Sequence, residues 1–402
     1  MNAWIVGGGL AGAVTAHELQ RHGFFCHVFE KQQRWGGLLR SSVWEEEGAD
    51  PVVYEPHGSH IVHTDDEEVW DLFTSHTPFN GYQHSVLTMV RGEQLTWPIQ
   101  KEEIERVYPQ HVAKTLTAMA ELATPGKYIG RDGNPYLPDP ETVNFEQWCL
   151  HIMPRAVYED FVAPYTEKQW GKHPSKLAAS FAPKRVQVRT DGDRRLFKDV
   201  YQGFPDAAQG GSYDQLLRWL FGRAQIHTRW KMNITRIRDE LIRHPAPWRP
   251  EFIVLTVPLD DFCRNEFGKL DWRGLTFSHK YLEPDSGFAQ DAMVVNWPGK
   301  EFPFIRTHET KHASGQSCKG TVLTTEFPGG PGRYYQVPRA DGRNHRLNER
   351  YVEYVRAEIE PLGPEVIVTG RLATYRYLDT DEVAREAMDA VRQSVQAGVP
   401  AA

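Results

Sequence analysis

The stretch AWIVGGGLAGAVTAHELQRHGFFCHVFEK, residues 3–31, narrows the fold more than any other. A short apolar run ends in glycines, a helical pattern follows to Gly23, and a second β-rich run ends in Glu30. Gly7, Gly9 and Gly12 spell GxGxxG at the strand-to-helix junction. The first glycine allows the tight turn, the second lets backbone approach a pyrophosphate, and the third lets helix and strand pack closely. The free N–H groups and partial positive charge of the helix N-terminus suit phosphates. A carboxylate at Glu30 is placed to accept from a ribose diol. GxGxxG alone is a weak signal, and a glycine-rich structural turn is the plain alternative. With strand, helix and acid all in place, the stretch predicts a dinucleotide site, and the acid alone does not choose between NAD and FAD.

Beyond this β-α-β unit the character changes. EEIERVYPQHVAKTLTAMAEL and FEQWCLHIMPRAVYEDFVAPY have helix-like apolar spacing, with Pro154 and Pro164 expected to break the second run. Residues 185–208 are rich in Arg and Asp and read as loop. Between 250 and 340, β-rich runs such as FIVLTVP, MVVNWPG, GTVLTTEFP and RYYQVP alternate with Gly/Pro turns and predict an antiparallel sheet. EVIVTG is a last strand, and TDEVAREAMDAVRQSVQ a last helix with Thr380 as N-cap. The expected fold class is α/β in several domains. A discontinuous Rossmann-like dinucleotide-binding domain would take residues 1–76, 209–258 and 343–402. A helical domain would take 101–184, and an antiparallel sheet domain 77–100, 185–208 and 259–342.

Composition removes some classes of function. The chain of 402 residues carries a net charge of −7, without the basic excess of a nucleic-acid binder. Cys26, Cys149, Cys263 and Cys318 lie far apart with no CxxC pair, which suits a reducing compartment. The apolar N-terminus lacks a basic n-region, and no apolar run reaches the roughly 18–20 residues that span a bilayer. The expectation is a cytoplasmic protein with no membrane and no nucleic-acid partner.

One motif competes with this reading. HETKHASGQSC, residues 308–318, contains HExxH and comes one residue short of a longer zinc-protease signature. HExxH holds zinc only when both histidines sit one helical turn apart. Pro303, Gly315 and β-rich flanks argue for a strand, where i and i+4 lie roughly 13 Å apart at ~3.3 Å per residue. No metal is expected, and the stretch is read as a strand and turn that position Arg306.

Longer motifs carry a specific resemblance. KQQRWGGLLR, with Gly36 and Gly37, resembles FAD-binding proteins of the amine-oxidase and glutathione-reductase type. HGSHIVHT (57–64), YQHSV (82–86), YTEKQWG (165–171), FGKLDWRGL (267–275), VVNW (294–297), IRTHETKH (305–312) and GRLATYRYLDTD (370–381) are collinear. They resemble segments of the UDP-galactopyranose mutases along nearly the whole chain. The resemblance implies a Rossmann-like FAD domain, a helical domain and a six-stranded antiparallel sheet. It implies an isomerase that interconverts UDP-galactopyranose and UDP-galactofuranose on reduced FAD, through a covalent bond between flavin N5 and the anomeric carbon. It further implies an external reductant such as NAD(P)H or reduced flavin, a role in cell-surface polysaccharide synthesis, and homodimers as an assembly the family uses.

Residue by residue, the resemblance assigns catalytic roles to His60, His63 and Arg306. Toward FAD it assigns Gly7, Gly9, Gly12, Glu30, Lys31, Gly36, Gly37, Leu38, His57, Gly58, Arg371, Asp379 and Thr380. Toward the nucleotide sugar it assigns His84, Phe161, Tyr165, Thr166, Trp170, Arg185, Arg273, Asn296, Arg306, Tyr335 and Tyr377. Lys184 competes with Arg185 as a lid cation, and Tyr334 with Tyr335. Bidentate arginines suit a diphosphate leaving group, although a single Arg is more often a surface ion pair. Phe161 and Tyr165 at i,i+4 are by pattern alone core residues. The chain departs from the family at Leu38, His57, Ser59, Gln100, Glu167, Leu196, Gln336 and Thr380. Leu196 stands where a tyrosine would donate to phosphate, a loss of roughly 1–3 kcal/mol. Such changes leave room for another base or a modified hexose, as in a GDP- or dTDP-sugar. An amine-oxidase-like FAD oxidoreductase, a zinc peptidase and a non-catalytic FAD-binding protein are the more distant readings.

Overall fold

The computed structural model describes residues 1–122, 142–180, 186–245 and 249–398. Two sheets organise the molecule, and they are built on opposite plans. The first is a five-stranded parallel sheet in the order Gln225–His227, Phe25–Phe29, Asn2–Val6, Phe252–Leu255, Glu365–Val368. The central strand Asn2–Val6 alternates its burial between two cores. Ala3 and Ile5 pack with the helices Leu10–Arg21, Tyr213–Phe221 and Thr380–Gly398, while Trp4 and Val6 pack with Ile234–Arg243 and Arg343–Ile359. Helices on both faces explain why FIVL at 252–255 is apolar without alternation.

The second sheet has six strands in the order Leu275–Leu282, Thr321–Pro328, Arg306–Glu309, Val294–Asn296, Val86–Val90, Glu93–Trp97. It departs from the expected antiparallel plan at one joint. Val294–Asn296 runs parallel to Val86–Val90, because these strands come from chain segments about 200 residues apart and no hairpin joins them. Tyr335–Gln336 does not enter this sheet and instead pairs with Trp272–Arg273.

The helical segment includes Lys101–Val107, Gln110–Leu122, Phe145–Ile152 and Ala163–Trp170. The expected breaks at its prolines need correction. Pro154 caps a new helix, and residues 155–170 then run on without interruption through a π turn at Tyr158–Val162. Pro164 sits at the start of the following α-helix, where its missing N–H is absorbed by the wider turn. At the last helix, Thr380 is the first helical residue and not the cap. The N–H of Asp379 donates to the Glu382 carboxylate at 2.9 Å, and the Thr380 hydroxyl donates to Ile61 O.

Candidate active site

The glycine turn is organised by backbone. Gly7 N–H donates to Phe29 O and Gly36 N–H to Gly8 O, which joins the first strand, the second strand and the Gly36–Gly37 turn. A Cβ at Gly12 would fall 2.1 Å from Gly7 O, and one at Gly7, where φ is +113°, 2.3 Å from Thr256 Oγ1. Around Gly9 the protein keeps its distance: the nearest atom to a Cβ there is Gly37 Cα at 3.8 Å. Gly9 is also the helix N-cap and offers no side-chain acceptor. The result is a cradle of free N–H groups that the protein does not fill, which fits a dinucleotide pyrophosphate. Glu30 is buried and accepts from Gly8 N and Gln32 N at 2.9 and 2.7 Å. Two carboxylate oxygens have further lone pairs for a ribose diol. Lys31 lies outside this cradle, half exposed and 3.8 Å from Asp261.

A cleft opens between the six-stranded sheet, the helical segment and the end of the parallel sheet. Leu38, His57, Gly58, His60, His63, His84, Phe161, Tyr165, Thr166, Trp170, Asn296, Arg306, Tyr335, Arg371, Tyr377, Asp379 and Thr380 all line it. Eight segments of sequence thus converge on one cavity.

Arg306, Asn296 and Thr88 form its floor, and they belong to a row in register across the whole second sheet: Phe277, Glu326, Arg306, Asn296, Thr88 and Leu95. Residues paired in register share one face. Arg306 Nε and Nη2 donate to the Glu326 carboxylate at 2.6 and 3.1 Å, and Nη2 also to the Tyr335 hydroxyl at 2.9 Å. Burial opposes the charge on Arg306, but fully buried Glu326 more than restores it and holds the pKa above its ordinary value. These bonds leave Nη1 for a ligand. Above the row, Tyr335 and Tyr377 stack with centroids 6.1 Å apart, Trp170 meets both edge-on, and the Arg371 guanidinium lies 4.2 Å from the Tyr377 ring. Phe161 stacks on Trp97 in the wall formed by the π turn.

At the other wall, His63 stacks on Phe197 at 3.5 Å between two carboxylates, with Asp199 3.2 Å from Nδ1 and Asp379 3.8 Å from Nε2. Nearby Asp381 is pushed up to about 6 by burial, against the pull of His63. His84 is buried, and its carbonyl accepts the Leu196 N–H at 2.7 Å. The departure at Gln100 has a visible partner. Its amide donates to Asp193 O at 2.7 Å and accepts from Gly192 N, which ties down the loop carrying Leu196.

Not every assigned residue is found in the cleft. Arg273 does not line the cleft: its guanidinium donates to the carbonyls of Gln169 and Lys168, so it closes the C-terminus of the helix that carries Trp170. Arg185 and its competitor Lys184 lie outside the described residues. Thr88 and Glu326 were missed by sequence reasoning, because nothing local marks a residue whose neighbours come from other strands. Tyr334, the open alternative to Tyr335, lines the cleft as well.

The HETKH stretch takes another form than a zinc helix. His308 and Glu309 end a strand, and Lys311–Ser314 is a single short turn of helix. Glu309 is buried and accepts from Ala289 N, Gln290 N and the Thr321 hydroxyl, while His312 Nε2 faces Gln290 O at 2.9 Å. The motif folds the 286–290 loop against the strand of Arg306. Among the described residues, no group of three His, Cys, Asp or Glu is placed to hold a metal ion. Among them also, no helix is long and apolar enough to cross a membrane.

Comparison with known proteins bears on the whole chain. A family model described as UDP-galactopyranose mutase matches residues 160–377, and one described as an NAD(P)-binding Rossmann-like domain matches residues 5–75. The chain is 28% identical over 392 residues to a probable UDP-galactopyranose mutase of Klebsiella pneumoniae, covering 96% of this chain and 93% of the relative. It is also 28% identical over 390 residues to a dTDP-fucopyranose mutase of Escherichia coli, covering 96% of each. Among solved structures it resembles reduced UDP-galactopyranose mutase with a TM-score of 0.72 at 16% identity, over 99% of this chain and 96% of the other. A putative protoporphyrinogen oxidase from Exiguobacterium follows the same fold with a TM-score of 0.63 at 10% identity, over 98% and 99%.

Proposed function

The chain belongs to the UDP-galactopyranose mutase family, and from that premise we propose how its residues interconvert the pyranose and furanose forms of a nucleotide-diphosphate sugar. The protein is an FAD-dependent isomerase. UDP-galactose is the favoured substrate. The observation that carries the reading is Arg306, held charged and oriented by Glu326 and Tyr335 in the middle of the cleft, with one guanidinium nitrogen unused among the described residues.

Reduced flavin, when bound, supplies the nucleophile for the anomeric carbon. Gly7, Gly9, Gly12 and Glu30 would hold its dinucleotide end, together with Gly36 and Gly37. Leu38, His57, Gly58, Arg371, Asp379 and Thr380 would enclose the ring. The protein's own task is to bind a diphosphate before, during and after the glycosidic bond breaks. Arg306, Tyr335 and Tyr377 suit it, since charge-assisted and hydroxyl donors grip the leaving group more tightly as its charge grows. Phe161, Tyr165, Thr166 and Trp170 form a half-apolar wall that suits the base. His84 and Asn296 face the sugar, and His60 and His63 the flavin side. Lys31 and Arg273 are more distant from this chemistry.

A second reading has its own support. The equal identity to a dTDP-fucopyranose mutase, together with Leu196 in place of a donor to phosphate, favours the same chemistry on a dTDP- or other nucleotide sugar. A flavin that must stay reduced also calls for a supply of NAD(P)H or reduced flavin. That supports a cytoplasmic enzyme, while a role in cell-surface polysaccharide synthesis and a homodimeric assembly rest on the family alone.

Anaerobic incubation of the dithionite-reduced protein with UDP-, dTDP- and GDP-sugars, followed by chromatography, tests both readings. Isomerisation of one sugar without net flavin oxidation is expected. Reduction of the oxidised protein's flavin by a substrate, with no isomer formed by the reduced protein, would replace the mutase with an oxidoreductase.

A further inference from the structure

His57 and His60 lie three residues apart, both line the cleft, and their partners have opposite chemistry. His57 Nε2 meets Arg40 Nη2. A guanidinium can only donate, so Nε2 must accept, and the single ring proton sits on Nδ1, 3.2 Å from the Tyr334 hydroxyl. A second proton on Nε2 would face a cation. Burial and then Arg40 take the His57 pKa down to about 4.

His60 is the mirror case. Its Nδ1 lies 2.9 Å from Glu55 Oε1, and its backbone N–H donates to Glu55 Oε2 at 3.1 Å. An ionised carboxylate can only accept, so Nδ1 carries a proton in either charge state and Nε2 is left to the cleft. Glu55 is 1% exposed. Burial raises its pKa, and His60 is the partner that lowers it. A carboxylate this deep is ionised only beside a cation.

Among the described residues, the surrounding elements offer no rival site for that charge. Tyr213, whose hydroxyl donates to His60 O, is held neutral by burial. Thr310 accepts the Glu55 N–H. His279 and His308, on two strands of the six-stranded sheet, are both pushed below the ordinary histidine range by burial. Arg306 is already matched by Glu326, and its Nη2 would lie 3.8 Å from a Cβ at Gly58.

We propose that Glu55 is a positioning residue that locks His60 with a proton on Nδ1 and lets Nε2 take up a second, so that of the two cleft histidines His60 alone becomes a cationic donor toward an anionic acceptor. The inference rests on the mutase reading only for the acceptor, which is either the reduced flavin ring or the substrate diphosphate.

The test is a nitrogen-15 NMR titration of histidine-labelled holoenzyme. His60 is expected to bind its second proton at least tenfold more tightly than His57, which stays neutral above pH 5. In Glu55→Gln, which keeps an acceptor oxygen, the proton affinity of His60 falls at least tenfold. A lower flavin midpoint potential in this variant assigns the flavin as acceptor. An unchanged potential with at least tenfold weaker UDP binding assigns the diphosphate. Equal titration of His57 and His60, or a His60 titration unmoved by Glu55→Gln, overturns the proposal. If Glu55→Gln fails to fold, Arg40→Met decides: His57 must gain at least tenfold in proton affinity while His60 holds, and an unchanged His57 overturns it. The titration stands whether or not any sugar is isomerised.

Discussion

The two sheets prepare ligand sites by different means. At the end of the parallel sheet the site is made of absence: glycines whose missing Cβ atoms leave N–H groups bare around Gly9. On the six-stranded sheet it is made of presence, a row of side chains from Phe277 to Leu95 that meet only because six strands are in register. A backbone site fails by the addition of an atom, a side-chain site by the removal of one. The two kinds of damage should therefore separate cofactor binding from substrate chemistry.

The largest effect is expected at Gly12. In Gly12→Val the new Cβ falls 2.1 Å from Gly7 O, a backbone atom with no rotamer to escape by. Flavin and activity should disappear together. The ratio of flavin to protein absorbance after purification should drop by more than about tenfold, since a clash with rigid backbone exceeds the ~1–3 kcal/mol of ordinary overpacking. A yellow, active Gly12→Val protein would mean that the turn is not the cofactor site.

Next comes Arg306→Ala, which attacks the row instead. Turnover should fall by roughly two to three orders of magnitude, as when one preorganised donor is lost from an active site, with flavin content close to wild type. Glu326 would then be buried with no cation, facing only the Tyr335 hydroxyl at 3.3 Å, at about 3–5 kcal/mol. Arg306→Met with Glu326→Gln should recover that stability without recovering turnover. Equal loss of flavin and turnover in Arg306→Ala would make Arg306 a structural or flavin-binding residue and collapse the distinction between the sheets.

The same contrast explains what could be read in advance. Gly7, Gly9 and Gly12 were legible because a backbone requirement is written as the one residue type that meets it, within one local turn. The parallel pairing of Val294–Asn296 with Val86–Val90 was not, since a register between segments about 200 residues apart leaves no local mark. Thr88 and Glu326 were hidden for that reason. Arg306 was found by its motif, but its motif neighbour Arg273 shows the limit: a matching letter does not say whether a guanidinium faces a ligand or closes a helix on Lys168 O and Gln169 O. Pro164 misled in the opposite sense, because a π turn was available to keep the helix running.

A smaller effect is expected where the helical segment is joined to the sheet. Lys168 Nζ meets the carbonyls of Trp297, Gly299, Phe302 and Phe304, so one ammonium holds the loop that follows Val294–Asn296. Lys168→Met keeps the length of the side chain and removes the donors. It should lower stability by about 2–3 kcal/mol, in the range of lost hydrogen bonds to a charged group, and read in denaturant unfolding as an earlier midpoint. Because the loop adjoins Asn296, KM should rise before turnover falls. A loss of flavin without a change in KM would assign Lys168 to the other sheet.

The smallest effect lies where the two sheets meet, at the helix Thr380–Gly398 that packs on the parallel sheet and points its first turn into the cleft. Asp381 is raised from 3.8 to about 6, by burial first and by Asp379 and Glu382 after, against the pull of His63. A folded-state pKa above the unfolded value means that the folded chain holds the proton more tightly. The stabilisation is therefore fully present below pH 4 and is lost as the pH rises through 6. At pH 7 the charge is a burden on the fold of about 1 kcal/mol after solvent screening. Asp381→Asn should raise the unfolding midpoint by a few degrees at pH 7 and leave it unchanged at pH 4. If the gain appears at pH 4 instead, the carboxylate of Asp381 is paired in the folded protein, and the first turn of this helix is held by charge and not despite it.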